Sequence, residues 1–165
     1  FRTIIDTVMV CSCGPPGGGR NPLTARFPRH FNTIGYTEME DASMALIFQT
    51  ILSNFASNME DEVKAVVNPT VHATIEIYNT ILDVLRPTPA KSHYQFNLRD
   101  LSKIFQGLRE NDPKKLTSVP QMARAWVHEN RRVFGDRLIN QEDRTKFNDL
   151  LQGQLLKHTE MTWKA

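Results

Sequence analysis

A glycine-rich loop and a set of arginines are the parts of this chain that could do chemistry. Cys13-Gly14-Pro15-Pro16-Gly17-Gly18-Gly19-Arg20-Asn21-Pro22 follows an apolar stretch, and Arg26-Phe27-Pro28-Arg29-His30-Phe31 follows the loop. Glycine lets a backbone come close to a ligand. The guanidinium is a planar, permanently charged fork that matches phosphate oxygens. Arg26 and Arg29 are three residues apart, so on a helical turn they share one face. A loop at the end of a strand is also where ligands meet an open α/β sheet. Against this stands the ordinary role of an arginine pair, which is a solvated surface.

The loop has the outline G-x-x-x-x-G-K/R-x from Gly14 to Asn21, which resembles a phosphate-binding P-loop after a strand. Its details do not suit one. Arg20 stands where lysine would reach the phosphates, Asn21 where Ser or Thr would hold Mg²⁺, and Pro22 interrupts the helix that should follow. Downstream there is no apolar run ending in acidic residues. A loop that only needs tight turns is the plainer reading.

A further arginine, Arg99, lies in the first turn of an expected helix, where a cation opposes the helix dipole. It either pairs with a neighbouring carboxylate such as Asp100 or adds its charge to the helix N-terminus to contact an anion. Cys11, Cys13 and the histidines His30, His72, His93, His128 and His158 lack metal-ligand spacing, so no metal site is expected.

The elements that must position these residues fall into two parts. Ile4, Ile5, Val8, Met9, Val10 and Cys11 read as a mainly buried strand ending at Ser12. A loop over residues 12–24, a helical turn over 24–29 and a short strand over 31–34 follow. Beyond about residue 38 the pattern is helical. Met44, Ile47, Phe48, Ile51, Leu52 and Phe55 form one apolar stripe. Asn68, with Pro69 behind it, is expected to cap a helix buried through Val71, Ile75, Tyr78, Leu82 and Leu85 and stopped by Pro87 and Pro89. Asn97 should cap a helix carrying Leu98, Leu101, Ile104, Phe105 and Leu108. Ser118-Val119-Pro120-Gln121 reads as a capping box opening a helix with Met122, Trp126, Val133, Phe134 and Leu138 inside. Asn140 should cap the last helix, with Phe147, Leu150, Leu151 and Leu155 inside.

Bulk properties narrow the class. The chain has 165 residues, 40% of them hydrophobic and 23% charged, in the ordinary range for a globular domain. A net charge of +2 argues for neither nucleic acid nor an anionic membrane. Cys11 and Cys13 alternate across a strand and are poorly placed for a disulfide, which points to a reducing, intracellular setting. There is no membrane-length apolar run and no signal peptide, and residue 1 is Phe, so a piece of a longer chain is expected. A lone strand needs partners; these are expected upstream of residue 1.

Three strings, in order, closely resemble the third AAA+ module of axonemal dynein heavy chains. They are Gly14 to Thr24 continuing through Arg26-Phe27-Pro28-Arg29-His30-Phe31-Asn32, then Pro87 to Gly107, then Trp126-Val127-His128-Glu129-Asn130-Arg131-Arg132-Val133-Phe134-Gly135-Asp136-Arg137-Leu138. The resemblance implies a mainly α fold: a helical AAA+ lid bundle over residues 38–165, preceded over 1–37 by a strand-and-loop remnant of the AAA+ large α/β subdomain. It implies that the Walker A and Walker B segments precede this chain and that Ser12 and Cys13 occupy the sensor-I region, where the family commonly has Asn. It implies that Arg26 and Arg29 are the arginine-finger pair reaching the neighbouring module's nucleotide, and that Arg99 is sensor II, facing the third module's own.

The parent implied is a microtubule motor ATPase of the cilium or flagellum axoneme, using ATP and ADP with Mg²⁺. Its partners would be adjacent AAA+ modules, microtubules and dynein intermediate and light chains, with no nucleic acid or membrane, in a cytoplasmic setting. The third module is expected to regulate the motor, and the isolated chain to be inactive and without cofactor. A different reading is a helical interaction module without a nucleotide role, using a face with Trp126 and Trp163.

Overall fold

The computed structural model describes residues 2–14 and 23–159. The chain divides into two units, Phe1–Glu38 and Met39–Ala165. The second is a helical bundle of α1 (Asp41–Ala56), α2 (Asp61–Ala65), α3 (Val67–Val84), α4 (Leu98–Glu110), α5 (Val119–Asn130) and α6 (Gln141–Thr159). Single 3₁₀ turns lie at Pro89–Lys91 and Pro113–Lys115, and a π turn at Arg131–Gly135 follows α5 directly. Among the described residues there is no strand, and no helix is long and apolar enough to cross a membrane. The chain is mainly α, as the lid resemblance implies.

Apolar periodicity decides how the helices pack. α1 buries Met44, Phe48 and Leu52 against α3 and α4, with the Phe48 and Phe105 rings stacked at 4.4 Å. α3 buries Val71, Ile75, Ile77, Tyr78 and Ile81 and lies between α1 and α6. α4 turns Leu101, Ile104, Phe105 and Leu108 inward, and α5 closes against α4 and α6. Two expected core residues, Ile47 and Leu82, sit at the edges of their stripes and are exposed.

The expected strand over residues 4–11 does not form. Its backbone carries no ladder partner, and its apolar side chains are exposed, Ile4 at 82% and Val10 at 92%. A strand without a neighbour leaves its N–H and C=O groups to solvent and has nothing to bury against. For the same reason Ile34 is exposed and residues 31–34 form no second strand. The helical turn expected over 24–29 is a hydrogen-bonded turn at 25–27 followed by a 3₁₀ turn, Pro28–His30.

Three helix boundaries also differ from the sequence reading. Asn68 lies inside α3, because α2 runs into α3 through Val66 in helical conformation and leaves no gap to cap. Pro69 still falls in the first turn, where its missing N–H is not needed. Ser118 is the N-cap of α5 but makes no side-chain cap bond; Gln121 Oε1 instead accepts from the Thr117 N–H at 2.8 Å and the Thr117 hydroxyl at 3.1 Å. The helix read through Leu138 changes to the π turn at Arg131, where the Asp136 N–H donates to the Arg131 carbonyl at 2.9 Å. Val133 and Phe134, both within this turn, are buried.

Trp126 is not a surface residue. It is 3% exposed, and its indole N–H donates to Thr74 Oγ1 at 2.8 Å, so the α5 side of the expected interaction face belongs to the core. Trp163 lies outside the described residues.

One glycine lies directly against a buried carboxylate. A Cβ on Gly107 of α4 would land on the Glu129 carboxylate, which is buried from α5 and held by Arg132 Nε and Nη2 at 2.9 and 2.6 Å. Gly107→Ala is therefore expected to lower stability by about 1–3 kcal/mol, the range for overpacking a filled site. A urea melt checks this; an unchanged midpoint would mean that Glu129 swings out at no cost.

Candidate functional site

The site begins with the cap of α4. Asn97 is extended and its Oδ1 accepts the N–H of Arg99 at 2.9 Å and of Asp100 at 3.3 Å, while Asp100 Oδ2 accepts the Asn97 N–H at 3.2 Å. This is a reciprocal capping box, and it fixes the first turn of α4. It also occupies backbone donors that an anion at this terminus would otherwise use.

Arg99 lies in that first turn. It is exposed, and its guanidinium has no hydrogen-bond or ion-pair partner among the described residues. The expected alternative, pairing with Asp100, does not occur because Asp100 is engaged elsewhere. Asp100 is 3% exposed and receives Arg137 Nη1 at 3.1 Å, Arg137 Nη2 at 3.0 Å and Lys103 Nζ at 3.2 Å. Burial pushes the Asp100 carboxyl up, but the hydrogen bonds and charges of Arg137 and Lys103, with the Asn97 N–H, outweigh it and hold it below the ordinary carboxylate value.

A second network secures the segment before α4. Tyr94 is buried; its hydroxyl donates to Asp143 Oδ2 at 2.9 Å and accepts the Ile139 N–H at 3.1 Å. Lys91 Nζ pairs with the same Asp143 oxygen. The Lys91 ammonium is the main reason the Asp143 carboxyl lies below its usual range, burial opposing and the Tyr94 hydroxyl assisting.

The arginines of the first unit form a separate feature. Arg26 lies in the turn at 25–27 and Arg29 in the 3₁₀ turn; both are exposed and neither side chain has a partner among the described residues. The Phe27 N–H bonds to the Thr24 carbonyl at 3.0 Å, the Phe31 N–H to the Pro28 carbonyl at 2.9 Å, and the Phe27 and Phe31 rings lie 5.0 Å apart. These contacts shape the turns that carry the two arginines. Ser12 and Cys13 are exposed and lie in no regular element, and Cys11 and Cys13 are free thiols. Most of the P-loop-like outline, residues 15–22, lies outside the described residues. Among the described residues no group of His, Cys, Asp and Glu is arranged to hold a metal.

Residues 37–144 match the family described as dynein heavy chain, ATPase lid domain, and residues 1–39 match the P-loop containing dynein motor region. The chain belongs to the dynein heavy chain family. It is 48% identical to dynein axonemal heavy chain 1 of Homo sapiens over 92% of its length, and 45% identical to the Mus musculus protein of that name over 94%. It is 46% identical to Homo sapiens dynein axonemal heavy chain 6 over 96%. The chain spans about 4% of the length of each of these relatives. The bundle that carries Arg99 is thus a dynein lid.

Sequence reasoning found Arg99 and its Asn97 cap but missed Arg137, Tyr94 and Asp143. Tyr94 and Arg137 lay in the strings that carried the resemblance and Asp143 just beyond them, yet nothing local marks a polar partner 37 or 49 residues away.

The lowered carboxylates set a pH dependence. An Asp whose folded pKa is below its unfolded value of about 3.9 adds stability above that pH and loses it as pH falls through the folded value. Asp100→Asn should destabilise the lid by about 1–3 kcal/mol near neutral pH, since Arg137 loses its charged partner. It should also flatten the loss of stability below about pH 4. Thermal melts followed by circular dichroism across pH check both, and identical acid slopes in the two proteins would refute the linkage.

Proposed function

We propose that this chain is the lid, with the preceding arginine-finger segment, of the third and regulatory AAA+ module of an axonemal dynein heavy chain, a microtubule motor of cilia and flagella. In this reading Arg99 is the sensor-II arginine, facing ATP or ADP with Mg²⁺ bound by its own module. Arg26 and Arg29 are directed at the nucleotide of the neighbouring module, and Ser12 and Cys13 belong to the sensor-I region. The walls that hold the phosphates come from other parts of the heavy chain. Partners are the adjacent AAA+ modules and, through the parent, microtubules and the intermediate and light chains.

One observation carries this reading: Arg99 is exposed and unpaired among the described residues while the carboxylate beside it is fully engaged. A cation at a helix N-terminus costs about 0.3–1 kcal/mol. With no local partner to offset that cost, its charge is available to an incoming anion, and phosphate geometry suits a guanidinium. An arginine contact that depends on nucleotide state would move the lid between two positions. Arginine supplied from a neighbour stabilises charge on the transferring phosphoryl group. Where the neighbour holds nucleotide without hydrolysing it, the same contact fastens module to module.

In an intact heavy-chain motor carrying this lid, Arg99→Ala should weaken nucleotide binding at this module by about tenfold, the worth of one charge-assisted hydrogen bond. The lid should stay folded, because Arg99 supports no internal contact. Binding of a fluorescent ATP analogue tests this; unchanged affinity and unchanged motility would refute the sensor role. Arg26→Ala and Arg29→Ala should loosen the interface with the preceding module, read as faster proteolysis at that junction. The isolated 165-residue chain should show no Mg²⁺-dependent ATP binding by calorimetry, and a stoichiometric titration would overturn the assignment.

A further inference from the structure

We propose that Arg137 is a positioning residue for Arg99, fixing the segment that delivers the sensor guanidinium to nucleotide phosphate. The proposal rests on the reading of Arg99 as a phosphate contact. Arg137 follows the π turn and reaches back to the approach of α4 by several routes. Its two terminal nitrogens grip both oxygens of Asp100, one of them also donates to the Gln95 carbonyl at 2.8 Å, and its guanidinium stacks 5.1 Å from the centre of the Phe96 ring. Its own carbonyl lies 3.2 Å from His93 Nε2. Four of the eight residues from His93 to Asp100 are thus held by one arginine.

The geometry gives this clamp a purpose beyond stability. Asp100 is adjacent to Arg99 in the same helical turn, and it closes the capping box that sets that turn's direction. A charge that must meet a phosphate to within a few tenths of an ångström depends on the support behind it. Arg137 is half-sheltered, its side chain 24% exposed and Asp100's only 4%, so the pair is little screened by solvent. Lysine would be a poorer substitute, because its point-like ammonium lacks the planar fork that meets both Asp100 oxygens side by side. Arg137 lies two residues beyond the π turn Arg131–Gly135 that follows α5.

The test is a double-mutant cycle in an intact heavy-chain motor carrying this lid, with the other nucleotide sites disabled. Equilibrium binding of a fluorescent ATP analogue is the readout, alongside the melting temperature of the lid. Arg137→Ala should weaken binding by about tenfold when Arg99 is present and by less than about twofold in an Arg99→Ala background. Arg137→Lys should recover only part of the loss while keeping the lid folded, and it decides the matter if the alanine variant unfolds. Losses that multiply across the cycle would show that Arg137 acts independently of Arg99 and overturn the proposal. So would full affinity in Arg137→Lys while Arg99→Ala still binds weakly. If Arg99→Ala binds normally, the sensor reading itself falls, an outcome distinct from either of these.

Discussion

The carboxylate of Asp100 governs the arrangement at the start of α4. A buried carboxylate without partners carries a heavy desolvation cost, and removing one partner of a buried pair exposes that cost. Here both oxygens are saturated by Arg137, Lys103 and the Asn97 N–H. Satisfying Asp100 brings the end of the π turn to the first turn of α4, and this leaves Arg99 without a local partner. One internal ion pair therefore sets both the direction of the helix and the freedom of the arginine beside it.

The rest of the lid supports that junction. The connection from Pro87 to Asn97 contains a short 3₁₀ turn and a further turn closed by the Tyr94 N–H on the Lys91 carbonyl, and side-chain bonds fasten it to the bundle. Tyr94, Lys91 and Asp143 fasten one end and Arg137 the other. On the opposite side, Gly135 lets the π turn lie close to Phe147 of α6, where a Cβ would approach the ring to 3.1 Å. Gly107 plays the corresponding part between α4 and Glu129 of α5. Apolar burial holds the bundle together, and these polar contacts choose one arrangement within it.

In the proposed function the chain carries two kinds of arginine. Arg99 stands on a rigid helix of a dynein lid, backed by a buried network. Arg26 and Arg29 stand on short turns tied by a Phe27–Phe31 contact. A rigid support suits a contact that must report nucleotide state. A turn with few internal bonds derives its precision from the surface it meets, which suits a residue that acts on a neighbour.

The sequence by itself determined most of the helices, their inward faces and the Asn97 cap, because helical periodicity and capping depend on residues within a turn or two of one another. It also determined the family, through strings long enough to be specific. It marked the apolar run from Ile4 to Cys11 as a strand in need of partners, and among the described residues that run has no segment to pair with. It could not anticipate the π turn, which exchanges one local hydrogen-bond pattern for another. Tertiary structure alone decided that Asp100 belongs to Arg137 and not to Arg99. Both arginines are chemically able to pair with it, and only the fold brings the distant one into bidentate reach while the adjacent one faces solvent.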